Sequence, residues 1–162
     1  MNAKSESKGP KPAEFLTEAK KLADKFGWRS SSFDRDEEVI LTAVISDDAS
    51  FDRCIWIYDT ERTTLRCMLV SKVAVPAGKR PQVLELLARI NQDLPFGCAE
   101  FSFDHNVVVY RDSADLDWGP IERLVGGTTT RALTTGQRYA KALEQTLAGT
   151  APEIAIRNAE GA

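Results

Sequence analysis

Residues 75–111 decide the fold of this chain, with the sequence VPAGKRPQVLELLARINQDLPFGCAEFSFDHNVVVYR. Pro81 suits the first turn of a helix, because the N–H group that proline lacks would have no partner there. Apolar residues then recur at helical spacing as far as Leu94, and Pro95 and Gly97 stop the helix and turn the chain. The stretch therefore predicts the end of a strand, an amphipathic helix and a β-hairpin in succession.

The predicted central helix is apolar over a wide arc. Its principal face consists of Val83, Leu87, Ile90 and Leu94. Leu84 and Leu86 flank that face and widen the apolar arc to about 160° at 100° per residue. Because one sheet face needs a narrower stripe, the outer edge of the helix, with Leu84 and Ala88, is a candidate contact with another subunit.

The hairpin after the helix is predicted at residues 98–103 and 107–111. Asp104, His105 and Asn106 join the two strands, and asparagine tolerates the left-handed conformation that a tight turn requires.

This stretch resembles the hallmark of YbjN-domain proteins, with matching segments at residues 83–91, 94–97 and 100–101. The resemblance continues more weakly to Gly27 and Trp28 and to the C-terminal helix. Ala99 departs from the pattern, since the family usually has a bulky apolar residue there. The resemblance implies a bacterial regulator of sensory transduction with a fold similar to type III secretion chaperones, and it carries over no catalytic residue.

The resemblance also implies pairing of subunits. Type III secretion chaperones pair through their equivalent helix and so build a surface for an extended client. We therefore expect a homodimer with Leu84 and Ala88 near the interface. An aromatic patch that includes Trp56 or Tyr58 is expected to be available to a protein partner.

The remaining elements follow from periodicity and turn residues. An N-terminal helix with a stripe of Phe15, Ala19, Leu22 and Phe26 precedes strands at about residues 30–34, 38–45, 51–58 and 64–70. A C-terminal helical region is expected to be interrupted at residues 126–130 and to end at Gly149. Residues 13–157 are thus predicted to form one domain, between a flexible lead at 1–12 and a flexible tail at 158–162.

The predicted fold class is α+β, an antiparallel sheet with N-terminal, central and C-terminal helices in a type III secretion chaperone-like arrangement. Residues 55–58, 67–70 and 107–110 are apolar at consecutive positions, whereas a sheet with one wet face would alternate. Both faces are therefore expected to be covered, one by helices and the other in part by a second subunit.

Composition narrows the class of partner. The net charge is −3 without a basic stripe, so no nucleic acid is expected. No apolar run approaches the roughly 20 residues of a membrane span, and the first dozen residues lack a signal-peptide core. A cytoplasmic protein with no membrane contact is expected. Its three cysteines, Cys54, Cys67 and Cys98, are expected to stay reduced, although the hairpin register that would pair Cys54 with Cys67 is left open.

Catalytic motifs are missing from the sequence. The single histidine, His105, is predicted at a hairpin tip, roughly 20 Å along the strand from Cys98, which is too far for a dyad. Acidic residues crowd two loops without the ligand spacing of a calcium loop. No enzyme activity, cofactor or metal is expected. The preferred function is a protein-interaction module, and the alternative is a small-molecule-binding or enzymatic domain with a pocket between the sheet and the C-terminal helix.

Overall fold

The structure is a computed structural model, and it describes residues 10–161. Its four helices are α1 (Pro12–Lys25), α2 (Arg80–Asp93), α3 (Ile121–Leu147) and α4 (Pro152–Glu160). Its six strands are β1 (Arg29–Arg35), β2 (Glu38–Val44), β3 (Phe51–Asp59), β4 (Thr64–Ala74), β5 (Cys98–Ser102) and β6 (Val107–Asp115). Short 3-10 turns occupy Ala77–Lys79 and Leu116–Trp118.

All six strands form one antiparallel sheet in the order β1-β2-β3-β4-β6-β5. The chain leaves β4, runs through α2 and returns as β5 at the sheet edge, and β6 then inserts between β5 and β4. The predicted α+β class and the predicted order of helices and strands are confirmed.

The buried stripes of all four helices join one core with the same face of the sheet, which we call the inner face. Phe15 of α1 packs edge-on against Tyr58, with ring centroids 5.6 Å apart. Gly136 brings α3 close to the sheet, because a Cβ there would lie 2.7 Å from Leu69 Cδ2 and 2.9 Å from Phe51 Cζ. The core therefore sits between one helical layer and the inner face.

The central unit folds as the sequence predicts. Pro81 lies in the first turn of α2, which ends at Asp93, one residue earlier than expected. Asn106 closes the β5–β6 hairpin with a φ of 56°, in the left-handed region. The buried residues of α2 are Val83, Leu86, Leu87 and Ile90, so Leu86 rather than Leu84 completes the core face.

The predicted break at residues 126–130 is wrong, because α3 continues through it for 27 residues. The Oγ1 atoms of Thr128 and Thr129 donate hydrogen bonds to the carbonyls one turn earlier, at Leu124 and Val125. Both threonines are buried, and Thr129 contacts Trp56 of the sheet. Tertiary packing therefore outweighs the roughly 1 kcal/mol by which each glycine disfavours a helix.

The described residues closest to each end of the chain lie in or next to a helix. Pro10 and Lys11 are described, and Lys11 caps α1, whereas residues 1–9 of the lead lie outside the described residues. At the other end α4 extends to Glu160, past the predicted boundary at residue 157. Tyr139 Oη donates to Glu160 Oε1 at 2.8 Å and so anchors α4 to α3.

Candidate functional site

Trp56 and Tyr58 do not form an accessible patch, so that prediction is wrong. Trp56 is 0 % exposed, and its Nε1 donates to Thr129 Oγ1 at 2.7 Å. Tyr58 is 2 % exposed, and its Oη donates to the carbonyl oxygen of Pro10 at 2.7 Å. Both side chains project from the inner face of β3, beneath α1 and α3, because alternate residues of a strand share a face.

Leu84 and Ala88, by contrast, are both exposed on α2, and Leu84 is 40 % accessible. Their flank of the helix faces the β5–β6 hairpin, as two hydrogen-bonded links show. At one end Asn91 Nδ2 donates to the carbonyl of Ala99 at 2.9 Å, and at the other Arg80 Nη2 donates to Asn106 Oδ1 at 2.5 Å. At 100° per residue Leu84 lies within about 40° of both linking residues around the helix, and Ala88 lies about 40° farther toward solvent.

Two phenylalanines lie on or next to β5, the hairpin strand beside α2, and Phe101 packs against the core. Phe101 is half-buried on β5, and Phe103, just beyond the strand, is 66 % exposed. Their ring centroids are 4.9 Å apart at an interplanar angle of 89°. We call Leu84, Ala88, Phe101 and Phe103 the α2–β5 patch.

Asn91 occupies backbone groups of β5, the strand at this edge of the sheet. Its side chain accepts from the N–H of Ala99 at 2.7 Å and donates to the carbonyl of the same residue. These are backbone groups that β5 would otherwise offer to an incoming strand. The backbone groups of Ala99 are therefore not free to pair with an incoming strand.

A second apolar surface is the face of the sheet opposite the helices, which we call the outer face. Its exposed and half-buried apolar side chains are Phe33, Val44, Ile55, Met68, Val70 and Val107. Three further residues, Ile40, Ile57 and Val109, lie among them and are shielded by their cross-strand neighbours. No described helix packs on this face, so the outer face is open among residues 10–161.

Ion pairs interrupt the outer face and neutralise two of its arginines, Arg66 and Arg111. Arg66 bonds to Glu38 across the strands, and hydrogen bonding by Arg35 is the main factor that lowers the pKa of the Glu38 carboxyl. Arg111 Nη2 donates to Glu100 Oε1 at 2.6 Å.

The described residues offer little for catalysis. His105 is exposed at the hairpin tip, as predicted. Between the sheet and α3 a cavity of only about 10 Å³ is lined by Phe51, Tyr110 and Leu143, which is too small for an organic ligand. A depression of about 770 Å³ near the starts of α1 and α3 has acidic walls and holds no histidine or cysteine. Within residues 10–161, no cluster of His, Cys, Asp and Glu could hold a metal ion.

Comparison with known proteins places this fold in a family. The family model described as "Putative bacterial sensory transduction regulator", YbjN, matches residues 20–145, most of the chain. The chain belongs to the YbjN family. No curated protein and no solved structure matches it. None of the helices in the described part of this YbjN chain is both long and apolar enough to cross a membrane.

The cysteines of the YbjN domain are free thiols, and the structure settles the register that was left open. Cys54 faces Leu69 and Cys67 faces Trp56, so the two cysteines are diagonal neighbours, with Sγ atoms 3.6 Å apart. Diagonal Cβ atoms lie farther apart than the roughly 3.8 Å of a disulfide. Burial raises the pKa of Cys54 well above its usual value, and the neighbouring Cys67 adds to this.

We expect the thiols to differ sharply in reactivity. In the folded chain, below the concentration at which subunits pair, an alkylating reagent should modify Cys98 first, because only this cysteine is partly exposed in the single chain. Even Cys98 should react slowly, since burial and the Glu100 carboxylate raise its pKa and reduce the thiolate fraction. Intact-mass spectrometry should show one modification under native conditions and three in urea. A melting temperature that falls by many degrees on adding reductant would contradict the expectation that Cys54 and Cys67 are reduced.

Proposed function

We propose that this YbjN chain is a non-enzymatic interaction module, regulatory or chaperone-like, that acts on a protein partner as a homodimer. The observation that carries the proposal is the presence of two uncovered apolar surfaces on a domain whose interior is filled. A surface of this kind, rimmed by polar residues, is typical of protein interaction sites. The description of the family as a sensory transduction regulator also supports a regulatory role.

The chaperone-like part of the proposal rests on the order of elements. An N-terminal helix, an antiparallel sheet interrupted by a central helix, and a closing C-terminal helix form the arrangement that the resemblance to type III secretion chaperones implies. We further propose that the protein works in the cytoplasm, where free thiols such as Cys54 and Cys67 stay reduced.

We assign the α2–β5 patch to the protein partner rather than to the dimer. Four apolar side chains cover far less than the roughly 800 Å² per subunit of a stable interface. A small cluster with aromatic and leucine side chains is instead suited to anchor an apolar segment of another protein. The Arg89 side chain, which bridges Glu85 of α2 and Glu153 of α4, borders α2 on its other flank with charge.

A charge placed on the α2–β5 patch should abolish partner capture. We expect Leu84→Asp to reduce the yield of a specific cross-linked partner about tenfold or more, because a carboxylate cannot be desolvated without a counter-charge. The measurement is cross-linking in the native cell followed by quantitative mass spectrometry of the captured proteins.

Gln82→Asp is the matched control, since it adds the same charge to an exposed position on the same helix but on another flank. Both variants should keep the circular dichroism and urea midpoint of the wild type. Equal capture of the same proteins by wild type and Leu84→Asp would contradict the assignment of this patch.

A further inference from the structure

We propose that a second copy of this chain covers the outer face, so that two sheets pack face to face with the helices outside. This inference rests on the proposed homodimer and assigns the outer face as the interface between its subunits. The wide apolar arc of α2 predicts a subunit contact on that helix, whereas this inference places the contact on the sheet.

The outer face has the apolar content that such packing needs. Phe33 is 53 % exposed and Val44 is 42 % exposed. Ile55, Met68 and Val70 continue the apolar surface across β3 and β4 and are half-buried. In a two-layer domain these side chains have no partner layer of their own, whereas sheets stacked about 10 Å apart interdigitate such side chains.

The area of the face fits a stable dimer. A residue on one face of a sheet occupies about 4.8 Å by 6.7 Å, the strand spacing and twice the rise per residue. Roughly two dozen outward positions in the six strands therefore cover about 770 Å². Stable interfaces bury about 800 Å² on each partner, so the outer face alone is large enough.

The charges of the face are self-complementary in one orientation. One end carries Glu38, Asp59 and Asp115 with a single arginine, and the other carries Arg29 and Arg53 with a single glutamate, Arg53 being also paired with Asp52 of its own chain. A two-fold axis in the plane of the interface and perpendicular to the strands lays β3 on β3 of the second copy in the opposite direction. Asp59 of one copy then faces Arg53 of the other, whereas same-direction stacking would oppose like charges.

The charged groups near the middle of the face do not forbid burial. Arg66 and Arg111 are already paired with Glu38 and Glu100 within one chain. A dimer therefore buries neutralised pairs rather than isolated charges, which would be costly.

The test is a dimer dissociation constant for the full chain, measured by sedimentation equilibrium. We expect Val44→Asp to raise the constant about 100-fold or more, because a carboxylate replaces an apolar contact and lies opposite Glu38 of the second copy. Arg53→Glu should raise it about tenfold by opposing Asp59 of the second copy. Arg123→Glu makes the same charge change on α3, away from the sheet, and should leave the constant unchanged, as should Leu84→Asp.

The outcomes separate the inference from the proposed function. A wild-type chain that is monomeric at every concentration overturns both the homodimer and this surface. A dimer that survives Val44→Asp and Arg53→Glu but dissociates with Leu84→Asp overturns the sheet surface alone and returns the contact to α2. Because Val44 and Arg53 are exposed in the single chain, unchanged circular dichroism and urea midpoints should show that both variants fold.

Discussion

Replacement of Trp56 by alanine is expected to lower the free energy of unfolding by about 3–5 kcal/mol. The side chain is fully buried between β3 and the helical layer, so its removal leaves a large cavity. The change also removes the Nε1–H group that donates to Thr129, on the segment of α3 that was predicted to break. Urea unfolding followed by circular dichroism measures the loss.

Trp118→Ala is the matched control for Trp56→Ala. Trp118 is 75 % exposed, and the same substitution there should change the free energy of unfolding by less than about 0.5 kcal/mol. Losses of similar size at the two positions would mean that Trp56 is not the buried anchor of β3.

The second large effect is expected at Leu87, where alanine should cost about 2–5 kcal/mol. Leu87 is 4 % exposed on the core face of α2, and a truncated side chain there leaves a void against the sheet. Leu84→Ala removes the same atoms three residues earlier on the exposed flank and should cost less than about 1 kcal/mol. Equal losses in denaturant melts would show that α2 is rotated from the orientation described.

Most of the fold could be predicted because local signals agree with the tertiary structure. Pro81 and Pro95 bracket α2, and turn residues separate strands of ordinary length, so each boundary has a local cause. The break predicted at residues 126–130 failed because glycines and threonines disfavour a helix locally, whereas the burial of Thr128 and Thr129 and the hydrogen bond from Trp56 to Thr129 are long-range effects. The two residues of that contact are 73 positions apart in the sequence, so a pattern read over one helix or strand cannot predict it.

The candidate surfaces could be predicted only in part. In residues 55–58 every position is apolar, so periodicity cannot say which side chains face the helices, and the prediction that Trp56 or Tyr58 is available to a partner is wrong. The exposure of Leu84 and Ala88 followed from the helical arc. Their proximity to Phe101 and Phe103 depends on β5 running back along α2, which only the fold reveals.

Subunit pairing is the claim on which the proposed function most depends, and one measurement tests it directly. Multi-angle light scattering of the wild-type chain at tens of micromolar should give twice the chain mass of 17.9 kDa. A single species at 17.9 kDa across that concentration range would contradict the homodimer and leave the outer face without its partner.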